Sequence, residues 1–145
     1  MQLFVVFEGV EGSGKSTQSR ALNRRLQQAG FPTILTHEPG GTPIGDQVGR
    51  WVKGRRQVTP LAELFLFSAA RAALVESVLC PALAAGKVVI SDRYIYSTLA
   101  YQGYGRGLEV DMIRDLNSVA TNDLIPDVAI LLDLPAPEGL GRKTG

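Results

Sequence analysis

The chain has 145 residues, 45% of them hydrophobic and 20% charged, with a formal net charge of +1. That is one domain's worth of chain, long enough to bury a core, and its charge gives no footprint for a nucleic-acid polymer or a membrane surface. One cysteine, Cys80, excludes an internal disulfide and a cysteine-ligated metal cluster, and fits a reducing compartment. Its setting in Val78–Leu83 predicts a small buried apolar role. Before Glu8 only Leu3–Phe7 is continuously apolar, too short for a signal-peptide core. No apolar run reads as approaching the ~20 residues of a membrane helix, so a cytoplasmic protein is expected.

Leu3–Phe7 reads as a strand buried on both faces. A glycine-rich turn follows, then an amphipathic helix over Ser16–Ala29, with Leu22 and Leu26 one turn apart and Gly30 as its C-terminal stop. Thr33–Thr36 is a second strand, which completes a β-loop-α-β unit and predicts a parallel α/β sheet. His37–Pro43 is a Gly/Pro loop, and Ile44–Val52 a helix. Arg55–Val58 reads as polar and exposed. Thr59 and Pro60 fit an N-cap and a first helical position. A long apolar-rich helix runs on to Ala85, with Pro81 expected to kink or break it. Lys87–Asp92 is a third buried strand. Tyr94–Tyr101 reads as a helix, Gly103–Gly107 as a loop, Val110–Ala120 as a helix and Val128–Leu132 as a fourth strand. Pro135–Gly145 begins a further helix or loop.

The chemistry-bearing segment is Gly9-Val10-Glu11-Gly12-Ser13-Gly14-Lys15-Ser16, followed by Thr17. It matches the Walker A pattern G-x-x-x-x-G-K-[ST], lying between a strand and a helix as that pattern requires. Glycines let the backbone N–H groups converge on phosphate oxygens, and the helix N-terminus adds donors and partial positive charge. Lys15 supplies a point charge for the β- and γ-phosphates. The Ser16 hydroxyl suits Mg²⁺, which keeps most of its waters and takes few protein ligands. A second element is the apolar strand ending in Asp92, whose carboxylate helps hold Mg²⁺ in proteins with such a loop. Taken alone, Asp92 could equally cap the next helix.

Several motifs narrow the reading. Phe7–Thr17, Glu38-Pro39-Gly40-Gly41-Thr42, Asp92-Arg93-Tyr94, Ser97-Thr98 and Ala100-Tyr101-Gln102-Gly103 occur in an order and spacing that resembles bacterial thymidylate kinase, from Leu3 to about Leu134. The guanine-reading Asn/Thr-Lys-x-Asp segment of GTPases is absent. The resemblance implies a three-layer P-loop kinase fold, with four parallel strands here, a fifth beyond residue 145 and flanking helices. It implies transfer of the γ-phosphoryl group of ATP to dTMP with Mg²⁺, in a homodimer. It places Lys15, Asp92 and Arg93 at the chemistry, with Ser16, Asp92 and Glu38 in the metal region. Glu11 falls at the sugar 3′-hydroxyl, Glu38 and Arg93 at the acceptor phosphate, Phe67 stacked on thymine and Arg71 at a thymine carbonyl. Ser97, Thr98, Tyr101 and Gln102 line the base and sugar pocket.

The residues themselves are compatible with that assignment. Phe67 and Arg71 lie one helical turn apart, so one face offers an aromatic plane and a fork of donors. On local pattern alone Phe67, in Leu64-Phe65-Leu66-Phe67, reads as core, and Arg71 as a solvated charge. His37 receives no role. Two departures from the family stand out. Gly12 occupies the loop position where some members carry a catalytic arginine; members with glycine there take it from a mobile lid after the fourth strand, which Arg142 would enter. Gly49 stands where close relatives carry a phosphate-binding arginine, and Arg50 is the expected substitute. The alternatives are a kinase for another nucleotide or nucleoside, and a nucleotide-binding protein of this loop class without transfer activity.

Overall fold

The computed structural model describes residues 2–54 and 57–143. Arg55 and Arg56, expected to be exposed, and Thr144 and Gly145 lie outside the described residues. Four strands, β1 (Leu3–Gly9), β2 (Thr33–His37), β3 (Val88–Asp92) and β4 (Val128–Leu132), form one sheet in the order β2-β3-β1-β4. Every neighbouring pair is parallel, as the β-loop-α-β reading predicts. Phe7 of β1 and His37 of β2 both register with Asp92 of β3. The carboxyl ends of the three strands therefore share one edge, where open α/β sheets bind ligands.

Alternate residues of β1 explain the layers. Phe4 and Val6, with Val89, face a core made with Leu74, Val75, Leu79 and Leu83. Val5 and Phe7, with Val88 and Ile90, face the other way, against Leu22 and Leu26 of α1 (Lys15–Gln28). The two edge strands are the more open ones: Leu35 of β2 and Val128 and Leu131 of β4 are exposed.

Helix ends follow their local chemistry. Gly30 takes φ +85°, and Phe31 N–H reaches Leu26 O at 2.9 Å, closing α1 in a left-handed C-terminal turn. Thr42 Oγ1 accepts from Gly45 N–H at 3.1 Å to start α2 (Pro43–Lys53), and Thr59 Oγ1 accepts from Ala62 N–H at 3.4 Å to start α3 (Pro60–Leu74).

Pro81 does not break the long helix. α3 passes through a wide π-type turn, Val75–Leu79, into α4 (Cys80–Ala84). Cys80 N–H there donates to Val75 O, five residues back. The widened turn just before the proline takes up the ring that a regular turn would reject. This run, Pro60–Ala84, has a mean hydropathy of 1.5 over its most apolar window and is long enough to cross a membrane, contrary to the sequence expectation. It also carries Glu63, Arg71 and Glu76, and Leu64, Leu74, Leu79 and Leu83 are buried. Cys80 is exposed rather than buried, and Leu79 beside it takes the core position.

A second correction concerns the glycines after Tyr101. α5 (Ile95–Thr98) continues as a π-type turn, Leu99–Gly105, where a loop was expected from Gly103. Gly103 is buried, with Ile113 Cδ1 3.2 Å from where a Cβ would stand, so glycine here serves close packing against α6 (Val110–Thr121). α7 (Ala136–Gly141) is the last described helix.

Candidate active site

The loop between β1 and α1 curls back over its own lysine. Lys15 is buried, and its Nζ donates to Gly9 O at 2.8 Å and Val10 O at 2.7 Å. Burial, with Arg93 nearby, pushes its ammonium below the ordinary lysine range. Ser13 Oγ is buried without a partner in the same loop, an orphan that a phosphate oxygen would satisfy. Ser16 Oγ donates to Asp92 Oδ2, so the hydroxyl and carboxylate expected around a cation stand side by side. Gly12 has φ +75°, and a Cβ on it would strike the backbone carbonyl of Gly139. α7 therefore rests directly on the loop, with Arg142 Nη1 donating to Gly12 O at 3.4 Å. Val10 and Gly14 sit in the turn, and Thr17 is exposed on α1.

Arg93 leaves β3 with φ +75°, a left-handed conformation that costs about 1–3 kcal/mol in a non-glycine residue. Its guanidinium donates to Glu11 Oε1 at 2.7 Å, Ser97 Oγ at 3.1 Å and Gly9 O at 3.4 Å, and lies 5.2 Å from the centre of the Tyr101 ring. Glu11 also accepts from Lys143. That hydrogen bond, with the charge of Arg93, holds its carboxyl below the usual range.

Glu8, which sequence reasoning passed over, fixes this turn. Its Oε1 accepts from Tyr94 N–H at 2.8 Å and its Oε2 accepts from Ser97 Oγ at 2.6 Å. The carboxylate thus clamps the residue after Arg93 and the hydroxyl that Arg93 touches. Burial raises its carboxyl above the ordinary value, against those hydrogen bonds and Arg93. The available signal was a carboxylate inside an otherwise apolar strand.

A cavity of about 590 Å³ opens beside the loop. Glu11, Arg93, Ser97, Thr98, Tyr101 and Gln102 line it from the β1 and β3 ends, and Glu63, Phe67 and Arg71 from α3. Phe67 is half-buried on its wall rather than sealed in the core. Arg71 is 2% exposed, so it is not a solvated surface charge. Its Nε and Nη2 engage both oxygens of Glu38 at 2.6–3.1 Å, its Nη1 donates to Asn117 Oδ1 at 2.7 Å and its Nη2 to Thr98 Oγ1 at 2.8 Å. These bonds leave one Nη1 hydrogen for a ligand. Burial raises the Glu38 carboxyl, and Arg71 opposes the rise. The Glu38 side chain is thus committed to Arg71, not to the Ser16–Asp92 pair.

Arg50 is exposed and does not line the cavity; Gly49 and Lys53, one helical turn apart on α2, do. Lys53 is a cation that sequence reasoning missed, although counting one turn from Gly49 reaches it. His37 also lines the wall. Among the described residues no group of three or more His, Cys, Asp and Glu side chains is placed to hold a metal. A cation here would therefore rest on Ser16 and Asp92, with its other positions left to water and phosphate oxygens.

Comparison with known proteins adds an independent line. The sequence model of the family described as "Thymidylate kinase" matches residues 7–145. The thymidylate kinase of Dehalococcoides mccartyi is 54% identical over 145 residues, covering 99% of this chain and 70% of that protein. The thymidylate kinase of Thermomicrobium roseum is 48% identical over 143 residues, covering 99% and 68%. Among solved structures, the thymidylate kinase of Ehrlichia chaffeensis superposes with a TM-score of 0.88 at 37% identity, over 97% of this chain and 77% of that one.

Proposed function

The chain belongs to the thymidylate kinase family, and with that as premise we propose how its residues divide the work. It is a kinase that phosphorylates dTMP, with ATP as the phosphate donor. The observation that carries the assignment is the meeting of Glu11 and Arg93 at 2.7 Å on the wall of the cavity that Phe67 and Arg71 also line. A residue of the phosphate loop, Glu11, and the acceptor-side groups share one chamber.

On the donor side, Lys15 exchanges the carbonyls of Gly9 and Val10 for β- and γ-phosphate oxygens, and Ser13 Oγ gains its missing partner. Ser16 and Asp92 hold Mg²⁺; both offer oxygen, the ligand atom this hard cation takes. The ion supplies neutralisation of charge developing on the transferring group. On the acceptor side, Arg93 holds the dTMP phosphate in line, Glu11 meets the sugar and Phe67 stacks on the base. Phosphoryl transfer depends on such alignment and charge cover more than on a strong base. Lys53 adds a further cation to the cavity where Arg50 was expected. Residues 1–145 form the P-loop kinase domain of this reading. We also place the enzyme in the cytoplasm as a homodimer; exposed Leu61 and Phe65 on α3 are compatible with that packing, and light scattering reads it directly.

The test of the donor assignment is Lys15→Ala, assayed by ADP release from MgATP and dTMP. A fall of about 10²-fold or more is expected for loss of one charge-stabilising group. An unchanged rate contradicts the role.

A further inference from the structure

Glu63, Phe67 and Arg71 recur every four residues along one face of α3, and all three line the cavity. Glu63 is the member with no role so far. Its Oε1 accepts from Gln102 Nε2 at 2.8 Å, and Arg106 Nε stands 3.7 Å from the same oxygen. Gln102 is 4% exposed, held in the π-type turn after α5.

The chemistry settles which end of the amide is which. An ionised carboxylate only accepts, so the Gln102 atom beside Glu63 has to be the NH₂ group. The amide cannot flip without opposing two acceptor oxygens. Its Oε1 receives no hydrogen bond from a described side chain, and is left as an acceptor for a ligand. Arg71, across the same cavity, offers a donor through its remaining Nη1 hydrogen.

We propose that Glu63 is a specificity-positioning residue: by pinning the Gln102 amide it makes the pocket present an acceptor, and so selects a pyrimidine whose N3 carries hydrogen over one whose N3 is a lone pair. The proposal rests on the dTMP reading and deepens it. Thymine and uracil carry N3–H beside carbonyls, which suits an acceptor with a donor nearby. Cytosine turns an unprotonated N3 towards Gln102 Oε1, so two acceptors face each other in a closed site, and an unpaired buried polar group is costly.

The test is calorimetric binding of dTMP and dCMP to the wild type, Glu63→Gln, Gln102→Ala and the double variant. Glutamine at position 63 keeps the shape but can donate as well as accept, which frees the Gln102 amide to turn. The dTMP:dCMP affinity ratio should fall about tenfold or more in Glu63→Gln, mainly through tighter dCMP binding. In the Gln102→Ala background the same change should leave the ratio where Gln102→Ala alone puts it. A wild-type ratio retained by Glu63→Gln overturns the proposal, as does an equal fall with Gln102 absent. A wild type that binds both nucleotides alike refutes the dTMP reading itself, and the proposal with it.

Discussion

Arg93 Nη2 donates to Glu11 Oε1 at 2.7 Å, joining the turn after β3 to the phosphate loop across the mouth of the cavity. The same guanidinium reaches Ser97 Oγ and Gly9 O and covers the Tyr101 ring. A lysine is a point charge and cannot serve these partners together. Arg93→Lys is therefore expected to lower kcat/KM for dTMP by about 10- to 100-fold, the worth of one or two charged hydrogen bonds. Steady-state kinetics check this; a KM for ATP that shifts while that for dTMP stays constant contradicts it.

Glu8 gives a pH prediction. Its carboxyl is raised above the ordinary 4.5 by burial, so the folded protein holds the proton more tightly than the unfolded chain. Its contribution is fully present below the unfolded value and is lost as pH rises through the folded one. Glu8→Gln removes that slope, while Glu38, also raised by burial, acts alike in both proteins. The melting temperature of the wild type minus that of Glu8→Gln should fall as pH climbs from below 4.5 and then level off. A difference that grows with pH over this range contradicts the assignment.

Arg71 and Glu38 are both buried and joined at 2.6 Å. Removing the guanidinium leaves a buried carboxylate without its partner, which costs about 3–5 kcal/mol. Arg71→Ala should therefore lose stability in chemical denaturation as well as its contact with the base. A variant as stable as the wild type contradicts this account of the pair.

Gly12→Ala sets a methyl group against the Gly139 carbonyl at a residue with φ +75°. The left-handed penalty alone is about 1–2 kcal/mol, and α7 must also move off the loop. Thermal melting should show a loss of at least that size; an unchanged melting temperature contradicts the close approach.

The strands, their parallel direction and the phosphate loop were legible because each rests on local pattern: apolar runs, glycine spacing and a helix after the turn; the strand order was not. Arg93, Ser97 and Tyr101 stand at steps of four in the sequence, and they do converge, although Arg93 itself lies outside the helix in a left-handed turn. What local pattern missed depends on long-range pairing. Nothing near Arg71 in the chain announces Glu38, Thr98 and Asn117 as its partners, and nothing near Glu8 announces Tyr94. The two π-type turns were also invisible, since each is a packing answer, one to Pro81 and the other to the contact of Gly103 with Ile113. Cys80 was misplaced because an apolar local setting does not say which face of the helix a residue takes: Leu79 is buried and Cys80 beside it is exposed.

The most direct measurement is coupled ADP release by the protein with MgATP and each of dTMP, dUMP, dCMP, dAMP and dGMP. The account predicts the highest kcat/KM with dTMP and lower values with the purine nucleotides and with dCMP, whose N3 carries no hydrogen for Gln102. Equal rates across the panel, or a preference for a purine nucleotide, would contradict it.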